Sequence, residues 1–126
     1  MSETLLAGRA LAQVALTTRD LDRARAFYRD TLGLTLLFEA PPGMVFFQLA
    51  GLRLMVGLSP DLPIGGSVLY FDAPDMDELG AALEARGVQF LHAAQVLQRT
   101  ETQALRLRPF LDPDGNPLAL MGWSPA

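Results

Sequence analysis

The sequence predicts an α+β fold of two tandem βαβββ modules, in which a curved mixed sheet surrounds one pocket and the helices lie outside. Three observations carry this expectation. The first is an internal repeat, since Gln13-Val-Ala-Leu-Thr-Thr-Arg-Asp20-Leu-Asp22 and Val68-Leu-Tyr-Phe-Asp-Ala-Pro-Asp75-Met-Asp77 share one form, with Asp20 and Asp75 lying 55 residues apart. A repeat of that length marks a duplicated supersecondary unit. The second is a helical-period stripe that follows each acidic opening and stops at a glycine. The third is a set of three strand-like runs behind each stripe, separated by turn residues.

Each module opens with a β-rich run, 10–18 or 67–72. The Asp behind each run is placed to accept hydrogen bonds from the free N–H groups of a first helical turn. In the first helix Leu21, Ala24, Phe27, Tyr28 and Leu32 recur at helical spacing, and Gly33 stands at the position of a left-handed cap. In the second, Asp75 with Glu78 has the spacing of a capping box, Met76, Leu79 and Leu83 form the stripe, and Gly87 closes it. Strand-like runs follow at 34–39, 45–49 and 52–58, and again at 88–92, 104–111 and 117–123. Pro41-Pro42-Gly43, Ala50-Gly51 and Asp112-Pro113-Asp114-Gly115 supply the turns between them. One domain over 1–126 results, with module one at about 9–58, a linker at about 59–66 and module two at about 67–124.

The 126 residues are half apolar, enough for one core without covalent staples. Ten Lys and Arg against fourteen Asp and Glu give a formal charge of −4 with no basic run, so nucleic acid is not an expected partner. The absence of cysteine excludes disulfides, thiolate nucleophiles and zinc-cysteine sites. No apolar stretch approaches the ~18 residues of a membrane span, and the start lacks a basic export signal, so a cytoplasmic location is expected.

The strand Val14-x-Leu16 leading into Asp20-Leu-Asp-Arg-Ala, then Ala26-Phe-Tyr28 before Leu32-Gly-Leu34, and Asp112-Pro-Asp-Gly-Asn116 before the last strand form an ordered set. In this order the chain resembles, over nearly its whole length, the vicinal oxygen chelate superfamily of glyoxalases, bleomycin resistance proteins and extradiol dioxygenases. The resemblance implies a concave inner sheet face lining a ligand site, homodimers with sites near or across the interface, and, in metal-dependent relatives, a divalent ion held by His, Glu or Gln on matching strands. The matching positions here are Gln13, Met55, Val68 and Ala119. One amide oxygen and a thioether do not supply the three oxygen or nitrogen donors such an ion needs, so no metal and no cofactor are expected. His92 is expected to be a surface or satisfied histidine.

Alternation along the strands assigns a mixed aromatic and polar inner face. Gln13, Thr17, Arg53 and Met55, with Tyr70, Asp72, Met121 and Trp123, are placed inward. Phe46 and Gln48 are expected to face Arg106, Arg108 and Phe110 across the groove. Aromatic surface with a few polar points is the makeup of a pocket for an organic ligand, and arginine can grip a carboxylate or phosphate with two hydrogen bonds. No residue takes a catalytic role on this reading; Asp72, Tyr70 and Thr17 are the inward groups capable of acid or base work. The expected function is metal-independent binding of an amphipathic or anionic small molecule. The alternatives are a lyase, isomerase or dioxygenase-like enzyme with a noncanonical metal site or protein acid and base groups, and an interaction module whose groove accepts a peptide.

Overall fold

The computed structural model describes residues 7, 12–58 and 67–126, so the expected linker at 59–66 and the start of the first strand run lie outside the described residues. In chain order, β1 (Gln13–Thr18), α1 (Leu21–Ala26), β2 (Thr35–Ala40), β3 (Met44–Leu49) and β4 (Leu52–Leu58) make module one. Module two comprises β5 (Leu69–Asp72), α2 (Met76–Ala85), β6 (Gln95–Arg99), β7 (Gln103–Leu111) and β8 (Pro117–Pro125). The repeat read from sequence reappears as topology: two four-stranded mixed sheets, ordered β1-β4-β3-β2 and β5-β8-β7-β6. In each, the first strand runs parallel to the last and the remaining pairs are antiparallel. Among the described residues, no helix is long and apolar enough to cross a membrane.

Asp20 caps α1 as its position predicts, its backbone extended and its carboxylate accepting from the Arg23 N–H at 3.0 Å. The helix then widens into one π-helical turn, Phe27–Thr31, closed by Leu32 N–H to Phe27 C=O at 2.9 Å and ended by Gly33 at φ +76°. That turn has no signature in the apolar periodicity. Within it Tyr28 is fully buried, edge-on to Phe27 and 5.8 Å from the Phe47 ring. The expected capping box of α2 does not form: Asp75 sits at φ −96°, ψ 40° and its side chain makes no cap hydrogen bond. The strand expected at 88–92 is also absent, leaving a single bridge between Phe90 and Phe110. Val88 packs into the core instead, and pairing passes to the exposed run β6, which edges the sheet.

Both sheets bury the face that carries the helices. Leu16, Val45, Phe47, Leu54 and Val56 from module one join Met76, Leu83, Phe110, Leu118 and Leu120 from module two in one apolar cluster. Removal of this surface from water is the main stabilising contribution. Leu32 and Leu34 reach across to Leu79, Leu83, Phe110 and Leu120 around a small apolar void of about 80 Å³.

A polar latch joins the modules where the β7–β8 turn meets α1. Asp112 is buried and accepts from Tyr28 Oη at 2.8 Å, from the N–H groups of Asp114 and Asn116 at 2.9 and 2.8 Å, and from Asn116 Nδ2 at 2.8 Å. Asn116 Nδ2 also donates to the Thr17 carbonyl at 2.9 Å, so the turn holds both ends of the β1–α1 junction. Burial of the phenol, followed by the adjacent Asp112 charge, raises the Tyr28 pKa far above that of a free tyrosine.

Asp114 completes the latch, its side chain only 1% exposed. Burial disfavours its charge, yet hydrogen bonds from Thr18 Oγ1 and the Arg19 N–H, with the Arg23 guanidinium 2.8 Å away, outweigh it and hold the pKa below 3.8. A carboxyl depressed in this way adds stability that is complete above its unfolded pKa and is lost as pH falls through its folded one. Urea midpoints are therefore expected to drop as pH falls below about 4, and to drop less steeply in Asp114→Asn. Parallel acid limbs for the two proteins would exclude Asp114 as the cause.

Candidate functional site

The two sheet faces turned away from the helices carry the candidate site. On the first sheet, β1 and β4 pair Gln13 with Arg53 and Ala15 with Met55, and β3 places Gln48 beside Arg53 and Phe46 beside Met55. Residues opposite one another across a ladder share a face. Gln13, Thr17, Phe46, Gln48, Arg53 and Met55 therefore occupy one surface, the arrangement alternation predicts. A bulge in β2 between Leu36 and Phe38 brings Phe38 onto it as well, its ring stacked on Phe46 at 4.4 Å and 19°. The bulge resets the alternation behind it, so a period of two alone does not place Phe38 on this face.

On the second sheet Tyr70, Asp72, Met121 and Trp123 also share the open face, Tyr70 opposite Ala119 and Asp72 opposite Met121. With Leu105 they line a shallow concavity of about 300 Å³. Tyr70 is 57% exposed and Trp123 38%.

Arg106, Arg108 and Phe110 lie elsewhere, and the expected placement is corrected. β7 pairs Leu105 with Trp123 and Leu107 with Met121, which puts Leu105 and Leu107 on the open face and the two arginines and Phe110 on the helix face. A shift of one residue moves every side chain of a strand to the other face. Phe110 sits in the core, 5.3 Å from the Phe90 ring. Arg106 pairs with Asp77 at 3.1 Å and Arg108 with Glu84 at 3.0 Å, both acids on α2, and the Arg108 guanidinium lies 3.9 Å over Phe90. These arginines fasten α2 to its sheet. Arg106 also walls a larger cleft of about 410 Å³ beside the start of α2, where Asp75, Asp77 and Glu78 face it.

The four positions that would hold a metal present an amide, a thioether, an isopropyl group and a methyl group, from Gln13, Met55, Val68 and Ala119. This donor set does not fit a divalent ion. Among the described residues, no group of three or more His, Cys, Asp and Glu is placed to hold one elsewhere. His92 is exposed, its Nδ1 2.8 Å from the Ala93 carbonyl oxygen.

A family model of the glyoxalase/bleomycin resistance protein/dioxygenase superfamily matches residues 10–120. Among solved structures, a lactoylglutathione lyase from Agrobacterium tumefaciens is 26% identical, with a TM-score of 0.73 over 90% of this chain and 93% of that one. A superfamily member from Sphaerobacter thermophilus DSM 20745 is 25% identical, with a TM-score of 0.74 over 90% and 96%. A further member, from Alicyclobacillus acidocaldarius, shares the fold at 22% identity and a TM-score of 0.74 over 91% and 92%. No protein of curated function shows a significant match.

Proposed function

Because the chain belongs to the glyoxalase/bleomycin resistance protein/dioxygenase superfamily, we propose that it uses that fold to bind an amphipathic organic molecule without a metal, as a cytoplasmic homodimer. One observation carries the reading. On β7 the arginines turn toward the helix and Leu105 and Leu107 turn toward the open face, beside Met121 and Trp123. A sheet face meant for water carries the opposite pattern, with charge outward and leucine inward. An apolar, aromatic face with a few polar points is built to be covered by a ligand, a second copy, or both in turn. The lyase activity named for the Agrobacterium protein is not carried over, because the donor set at the corresponding strands does not support metal chemistry.

Metal analysis of protein purified without chelator, joined to a thermal-shift screen of divalent ions and small molecules, tests the reading, since a ligand of the native state stabilises it by mass action. The expected result is no stoichiometric ion and stabilisation by aromatic compounds, weakened about tenfold or more in affinity by Trp123→Ala or Tyr70→Ala. One tightly held ion per chain, lost with His92→Ala, would overturn it in favour of an enzyme with a noncanonical centre.

A further inference from the structure

The pairing of the first sheet sorts its open face into rows running across all four strands. Gln13, Arg53, Gln48 and Thr35 form one row, each beside the next. Ala15, Met55, Phe46 and Phe38 form the next, and no charge enters it. The surface is thus divided along a line, polar on one side and apolar on the other, with the rows about 7 Å apart. A ligand lying across that line must itself have one polar end and one apolar, flat end, because the apolar row culminates in the stacked Phe38 and Phe46 rings.

The sign of the polar end follows from Arg53. Arg23, Arg25, Arg29, Arg106 and Arg108 are each paired to a carboxylate; among the described residues Arg19, Arg86 and Arg99 are not, but none of these lies on the open face of the first sheet. Among the described residues no carboxylate pairs with Arg53, the only charged residue on this face of the four strands; its guanidinium carbon stands 5.9 Å from the Phe46 ring centroid. A guanidinium with no carboxylate partner among the described residues, flanked by the Gln13 and Gln48 amides, offers a planar fork for an anion, and although Gln48 Nε2 donates to the Ala50 carbonyl, its second N–H remains to assist. Its single positive charge, with neutral neighbours, balances a monoanion; a phosphate dianion would leave a negative charge uncompensated once the face is covered and the local dielectric falls.

We propose that this face selects an aromatic monocarboxylic acid, the ring lying on Phe38, Phe46 and Met55 and the carboxylate taken by Arg53 between Gln13 and Gln48. The proposal rests on the reading of the open faces as a ligand site and names the chemistry that site prefers. It assigns Arg53 as the residue that determines charge specificity and Phe46 as the platform for the ring.

Calorimetric titration of the full chain with 2-naphthoate and its neutral isostere 2-naphthamide separates the two levels. Naphthoate is expected to bind about tenfold or more tightly than naphthamide, the gain of a charge-assisted pair. Arg53→Gln, an exposed substitution that leaves the core untouched, is expected to erase that difference by weakening naphthoate alone, and Phe46→Ala to weaken both compounds. Equal affinities for the two compounds, unchanged by Arg53→Gln, would overturn the selection of an anion while leaving an aromatic-binding face in place. Failure of both compounds to bind at millimolar concentration would overturn the assignment of an aromatic acid to this face, while the ligand-site reading beneath it stands or falls separately with the thermal-shift screen.

Discussion

Asp112→Ala is expected to lower stability by about 4 kcal/mol, because it strips the partner from two buried donors, each costing about 1 to 3 kcal/mol when left unsatisfied. Those donors are the Tyr28 hydroxyl and the Asn116 amide, both fully buried, and the same carboxylate also receives the N–H groups of Asp114 and Asn116. The β7–β8 turn loses its internal scaffold and its hold on module one in a single step. In a chain of this size that corresponds to a fall in Tm of roughly 15 °C, read by calorimetry or thermal circular dichroism. Tyr28→Phe is the informative comparison: it removes one donor and leaves Asp112 with three, so the expected cost is only about 1 kcal/mol. Equal losses from the two substitutions would mean that the latch is not organised around Asp112.

Gly122→Ala is expected to cost about 3 kcal/mol through overpacking rather than through any lost contact. A Cβ at this position would stand 2.7 Å from the carbonyl carbon and oxygen of Ala73 and 3.0 Å from Pro74 N, all backbone atoms. No rotamer change can relieve a clash with main chain. The β5–α2 connection would have to lift, stretching the Ala73 N–H to Met121 C=O bond of 2.8 Å that ties it to β8. Gly51→Ala serves as the control, since its Cβ would meet nothing within 4 Å, and an effect within about 0.5 kcal/mol is expected there. If chemical denaturation found the two alanines equivalent, the close approach at Gly122 would not be the constraint described.

Much of the candidate site was legible from alternation. For β1, β3, β4, β5 and β8 a period of two assigned the open faces correctly, because these strands run without a bulge and the alternation is not interrupted. β7 misled the same reasoning. Leucine alternates with arginine along it, and which set turns to the helix depends on Asp77 and Glu84 of α2, remote in sequence and close only after folding. The run at 88–92 has the composition of a strand, yet Val88 is drawn into the core and only Phe90 pairs. Asp112 and Asn116 were legible as turn residues, but not as the acceptor and donor that join the modules.

By itself the sequence determined the duplicated βαβββ plan, the Asp20 cap and Gly33 terminus of α1, the family, and the poverty of metal donors at Gln13, Met55, Val68 and Ala119. Each of these rests on local periodicity, local backbone preference or residue chemistry, which need no knowledge of distant neighbours. Tertiary structure decided the facing of β7, the π-helical turn that buries Tyr28, the latch around Asp112 and the sorting of polar and apolar rows around Arg53. Those depend on register and on pairs of residues separated by tens of positions, where the lowest free energy is set by which buried donors, charges and rings can be satisfied together.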